Sequence, residues 1–201
     1  MSFLNYTNRS GKIHYFRAAK TTKGSTRYYI TKSDNFPDLI DVLPKGFEIY
    51  EDPYEGRVIL RKTVPCLVTQ SEIEFVKNAV ERLSALNDII IQGDGDALVV
   101  WISQFNSIDG QDENLTHQEV AEGFGRSLDL WKEYDDKFKF VLIDTEKRLF
   151  QAERRVYMSL FGGGYIPLKD GKGSLLKLTM QFCPHMGRES YFHTVPEGFD
   201  E

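Results

Sequence analysis

Cysteine is scarce: Cys66 and Cys183 are the only two in 201 residues, too few and too far apart for a disulfide scaffold, so both read as reduced thiols. Long hydrophobic runs are missing as well. Stretches such as Ala97 to Ile102 fall far short of the roughly 20 apolar residues a membrane helix needs, so no span is expected. The opening residues Met1 to Arg9 lack both a basic start and an apolar stretch and do not read as a secretion signal, which leads to the expectation of a cytoplasmic protein. The most informative absence is local. Residues 1–33 contain no Asp or Glu, yet they carry seven cations: Arg9, Lys12, Arg17, Lys20, Lys23, Arg27 and Lys32. Because the whole chain has a net charge of −5, residues 34–201 carry −12, and two surfaces of opposite sign are expected.

What is present suits a packed protein. Hydrophobic residues make up 41% of the chain and aromatics 13%, enough to fill a sizeable core at this length. Ile13 to Arg17 and Arg27 to Thr31 are rich in aromatic and β-branched residues and flank a polar loop, which predicts a hairpin. Asp34 to Pro44, broken by Pro37 and Pro44, reads as a connector whose Asp38 to Asp41 stretch docks on the core. Phe47 to Tyr50 and Arg57 to Lys62 predict a second hairpin across Asp52 to Gly56.

Thr69 with Glu72 is a capping-box pair, and Ile73, Val76, Val80 and Leu83 follow at helical spacing, so a helix to about Leu86 is expected. Ile89 to Ile91 and Leu98 to Ile102 predict a hairpin around glycine. Thr116 with Glu119 repeats the capping pattern, and Val120, Phe124, Leu128, Trp131 and Tyr134 outline a second amphipathic helix. Alternating Phe138, Phe140 and Leu142, then Leu149 to Met158, predict a further hairpin, and a short helix is expected from Ser174 to Phe182, before Pro184. The fold class that follows is α+β: an antiparallel sheet of successive hairpins with two long helices and one short amphipathic helix packed on one face. A single domain over 1–201 is expected, with 103–115 as the place where a division would fall.

Three stretches carry a resemblance. Leu43-Pro44-Lys45-Gly46-Phe47-Glu48-Ile49-Tyr50-Glu51-Asp52-Pro53, then Val58-Ile59-Leu60-Arg61-Lys62, and Pro184-His185-Met186-Gly187-Arg188-Glu189-Ser190-Tyr191-Phe192 resemble an uncharacterised prokaryotic protein family of unknown function. The resemblance spans most of the chain and implies a prokaryotic cytoplasmic protein. It assigns no activity, cofactor, partner or catalytic residue.

The leading functional reading is noncatalytic binding of a polyanion, such as single-stranded nucleic acid, by the N-terminal hairpin. Phosphates attract Lys and Arg, and exposed rings stack on bases. Period-two alternation puts Tyr15 with Arg17 on one face and likewise Arg27 with Tyr29, while Phe16 and Tyr28 take the other. Lys20 and Lys23 complete the candidate set with Tyr15, Arg17, Arg27 and Tyr29. The competing structural reading is a solvated, lysine-protected strand edge rich in β-forming aromatics.

A second reading is a metal-dependent hydrolase: Cys183, His185 and His193 offer sulfur and imidazole ligands, with Glu189 to orient a bound water. Their spacing is not that of a recurrent zinc pair, and Cys183 also reads as a small buried residue ending a helix. Phe161 to Tyr165 and Lys169 to Ser174 lack the spacing of phosphate loops and read as turns. No cofactor is therefore expected and no active site is identifiable. A third reading is a protein-interaction or homo-oligomeric module that pairs through exposed strand edges or aromatic anchors.

Overall fold

A computed structural model describes residues 3–103, 133–158 and 162–196. They fall into two compact units, residues 3–63 with Glu133 in one, and residues 64–103, 134–158 and 162–196 in the other. The architecture is mixed α and β, with three sheets whose named neighbours pair antiparallel. Among the described residues no helix is long and apolar enough to cross a membrane.

The N-terminal unit contains β1 (Asn5–Thr7), β2 (Ile13–Lys20) and β3 (Thr26–Thr31) in one sheet, and β4 (Phe47–Glu51) with β5 (Val58–Lys62) in another. The middle strand, β2, uses both edges. It pairs with β3 along 15–20 and with β1 along 13–15. Beyond the end of β1, the connector takes over that edge: the Ala18 N–H donates to the Asp38 carbonyl (3.0 Å) and the Ile40 N–H to that of Phe16 (2.9 Å). The docking stretch expected of 38–41 is thus a backbone-bonded extension of the sheet. Phe16 is fully buried, and Tyr28, on the same face, meets the edge of the Phe47 ring at a centroid distance of 4.9 Å. The two sheets are tied further by Arg9 and Tyr6, which both donate to the Glu51 carboxylate (2.8 and 2.9 Å). In the expected β4–β5 turn, the Gly56 N–H donates to the Asp52 carbonyl, and φ of +64° at Gly56 is a conformation few other residues adopt.

The second unit is built on a five-stranded sheet of β6 (Ile89–Asp94), β7 (Ala97–Ser103), β8 (Tyr134–Asp144), β9 (Leu149–Met158) and β10 (Gly162–Gly173), neighbours in space as in sequence. The register places Val100 opposite Phe138, Leu98 opposite Phe140, Phe140 opposite Ala152 and Leu142 opposite Phe150. One face is therefore apolar, and these side chains join a buried cluster with Val76 and Val80 of α1 (Gln70–Leu83) and Leu178 and Phe182 of α2 (Leu175–Phe182).

The expectation of two long helices and a short one is corrected to one helix of 14 residues and one of eight among the described residues. The second long helix, expected over 116–134, lies outside the described residues except at its last position. There Tyr134 begins β8 opposite Ser103, with its ring buried and its O–H donating to Asp88 at 2.8 Å. The single-sheet expectation is likewise replaced by three sheets. The glycines of the two stretches read as turns belong instead to β10, which pairs with β9 from Gly162 to Gly173 around a register shift between Pro167 and Lys172. Tertiary pairing overrides the poor strand propensity of glycine here. At Gly171, a Cβ would stand 2.6 Å from the Leu168 carbonyl oxygen, so the bulge admits no side chain.

Glu72 links the helix start to the sheet. Its carboxylate accepts from the Thr69 N–H (2.8 Å) while the Thr69 hydroxyl accepts from the Glu72 N–H, completing the capping box. Arg148, in the β8–β9 turn, donates to the same carboxylate and to the Leu67 carbonyl. Burial works against ionisation of Glu72, yet Arg148 and the Thr69 amide hold its carboxyl below the usual range. Glu72→Ala should lower stability by about 1 kcal/mol, the typical worth of a helix cap, and the loss should fade as the pH falls and protonation removes the same contacts in the wild type. Urea unfolding of both proteins at pH 7 and pH 4 checks this.

Candidate nucleic-acid interface

The β2–β3 register decides which hairpin side chains share a surface. Tyr15 stands opposite Thr31, Arg17 opposite Tyr29, and Ala19 opposite Arg27. Side chains directly paired across strands lie on one face, so Tyr15, Arg17, Arg27 and Tyr29 are co-facial, while Phe16 and Tyr28 occupy the opposite, packed face and Lys20, opposite Thr26, starts from that second face at the exposed end of the hairpin. Neither tyrosine of the candidate face is interior: Tyr29 is 48% exposed and Tyr15 half-buried. Arg27, Lys20 and Lys23 are exposed. Among the described residues none of these three cations has a carboxylate partner. The loop that joins the strands is closed by the Thr21 N–H donating to the Ser25 carbonyl (2.8 Å), and the hydroxyls of the two residues also bond.

Arg17 differs from them. Its Nε and Nη2 donate to the two carboxylate oxygens of Asp38 (2.7 and 3.0 Å), and its guanidinium carbon stands 3.8 Å from the centroid of the Phe36 ring. The hydrogen bonds to Asp38 hold the guanidinium in its charged form, and those from Arg17 hold the Asp38 carboxyl below its ordinary range. Sequence alone does not reveal this pairing. Asp38 is 21 residues away, in a segment whose docking was foreseeable while its register on β2 was not. The nearest signal is the Phe36-Pro37-Asp38 triplet, an aromatic and an acid beside a rigid residue.

Charge divides along the chain near residue 63. Residues 1–63 hold eleven Lys and Arg against seven Asp and Glu, a net +4, which leaves −9 for residues 64–201. The acid-free opening segment is thus a basic ribbon within a moderately basic unit.

The hydrolase candidates are differently placed. Cys183 is fully buried, and burial pushes its thiol up to about 12. His185 Nδ1 lies 3.0 Å from the Ser190 hydroxyl, and His193 is exposed. Among the described residues no three His, Cys, Asp or Glu side chains gather where they could hold a metal ion.

No protein-family model matches this chain, and no curated protein or solved structure matches it.

Two measurements check these environments. Cys66 is exposed and Cys183 buried with a raised pKa, so a disulfide-exchange reagent at pH 8 should titrate one thiol per folded chain and two per unfolded chain. His14 is 9% exposed, and neither ring nitrogen has a hydrogen-bond partner among the described residues. Burial first, then Lys32 and Lys12, lower its pKa from the ordinary 6.5, against an opposing pull from Glu51. The unfolded chain takes up this proton first, so the contribution to stability is complete above pH 6.5 and is lost as the pH falls through the lowered folded value. The urea midpoint of the N-terminal unit should therefore drop between pH 7.5 and about pH 5 by more in the wild type than in His14→Leu.

Proposed function

We propose that the N-terminal unit binds single-stranded nucleic acid noncatalytically on the outer face of the β2–β3 hairpin. One observation carries the reading: Arg27 and Tyr29 alternate on the exposed face of β3, beside Tyr15, with Lys23 in the loop and Lys20 reaching round from the other face at the hairpin end, and the three cations are free of carboxylates among the described residues. The exposed Tyr29 ring and the half-buried Tyr15 ring supply π-faces that any base can stack on, while cations beside them track the phosphates. Such a surface favours backbone and stacking contacts over base-edge recognition, so little sequence preference is expected. The −9 of residues 64–201 acts on a bound strand only through a field that salt screens over about 8 Å at physiological ionic strength.

The test is a salt titration of binding to a fluorescein-labelled oligothymidylate. Each phosphate contact on a single strand contributes about 0.7 to the slope of log K against log salt, so replacing Lys20, Lys23 and Arg27 together with Ala should flatten the slope by about 2. Tyr29→Ala should weaken binding by about tenfold at fixed salt and leave the slope unchanged, because a stacked ring releases no counterions. Absence of binding at low salt, or equal slopes in the wild type and triple variant, refutes the reading.

A further inference from the structure

Arg17 occupies the centre of the candidate face, directly opposite Tyr29, but its guanidinium is already engaged by a carboxylate and a ring. The paired N–H groups that grip the two Asp38 oxygens have the fork geometry with which arginine grips a phosphate, and a guanidinium stacks on a nucleobase much as it stacks on phenylalanine. We infer that Asp38 and Phe36 form a built-in competitor for nucleic acid at Arg17: the carboxylate stands in for a phosphate and the ring for a base, and an entering strand displaces them. This rests on the binding reading above and adds to it a cation that is masked in the free protein.

The geometry separates the competitor from the scaffold that carries it. The connector is held by backbone bonds, from Ala18 N–H to the Asp38 carbonyl, from Ile40 N–H to the Phe16 carbonyl, and from Leu4 N–H to the Ile40 carbonyl. None of them uses the Asp38 carboxylate or the Phe36 ring, so both side chains can swing away while the segment stays paired with β2. The ion pair is also open to water, with the Arg17 and Asp38 side chains 29% and 28% exposed. A pair so placed is weakly held and screened by salt, which makes it exchangeable for a polyanion that engages several cations at once. The masked form lowers the apparent affinity by the fraction of molecules in which Arg17 is free, and that cost disappears when the competitor is removed.

The experiment measures oligothymidylate anisotropy over a salt series in the wild type, Asp38→Asn, Arg17→Ala and the double variant. Asp38→Asn should tighten binding by at least about threefold and steepen the salt slope by about 0.7, one added phosphate contact. Arg17→Ala should weaken binding more in the Asp38→Asn background than in the wild type, where Asp38 offsets part of that cation's contribution, and should abolish the gain from Asp38→Asn. If Asp38→Asn loses its far-ultraviolet circular dichroism, Phe36→Ala serves instead and should tighten binding in the same direction. Wild-type binding that is weakened by the Lys20, Lys23 and Arg27 substitutions but is not tightened in the folded Asp38 or Phe36 variant overturns the competitor and spares the binding reading. Failure of every variant to bind at low salt overturns both.

Discussion

Pairing along both edges of β2 is the constraint on which the N-terminal unit depends. An eight-residue strand with β3 on one side, and β1 followed by the connector on the other, has a fixed register, and a fixed register assigns every side chain to a face. His14 and Phe16 go inward, while Tyr15 and Arg17 go outward. A slip of one residue would bury Arg17 and expose Phe16, at the cost of a desolvated charge and a lost apolar anchor. The same pairing brings Asp38 beside Arg17, so the electrostatic state of the outer face follows from backbone hydrogen bonding. The candidate site is a consequence of the way the sheet is closed.

The second unit is organised by a different constraint, a sheet whose apolar face must be covered. Phe138, Phe140, Leu142, Phe150 and Ala152 line one side of β8 and β9, and α1 and α2 contribute Val76, Val80, Leu178 and Phe182 to the same cluster. Glu72 and Arg148 lock the start of α1 to the β8–β9 turn, so helix initiation and sheet geometry are coupled through one carboxylate. Cys183 and Met186 fall within that core, and the same burial that packs the cysteine raises the pKa of its thiol. Chemistry that seemed concentrated in the C-terminal segment by composition is distributed by packing: one group faces the interior, one bonds to a neighbouring serine and one faces solvent.

Legibility differed from element to element for identifiable reasons. Local codes were readable. The capping pair at Thr69 and Glu72, the 3.6-residue stripe of α1, the Asp52 to Gly56 turn and the alternation of Phe138 to Leu142 each place their determinants within a few residues of one another. Strand β10 was not readable, because its glycines point to turns and only pairing with β9 makes them extended. Tyr134 continued a helical spacing but is claimed by the strand opposite Ser103 and by Asp88, 46 residues away. Of the candidate face, the alternation of Tyr15 with Arg17 and of Arg27 with Tyr29 was legible from period two. That Arg17 and Tyr29 are cross-strand partners, and that Asp38 and Phe36 cover the guanidinium, was not.

The amino-acid sequence by itself determined the charge asymmetry, the hairpin alternation and the helix that begins at Thr69, because each arises from neighbours in the chain acting on the backbone next to them. Only the tertiary structure decided which cations stay unpaired. A carboxylate silences an arginine only within a few ångströms, and that proximity is created by strand pairing between segments that the chain itself keeps 21 residues apart.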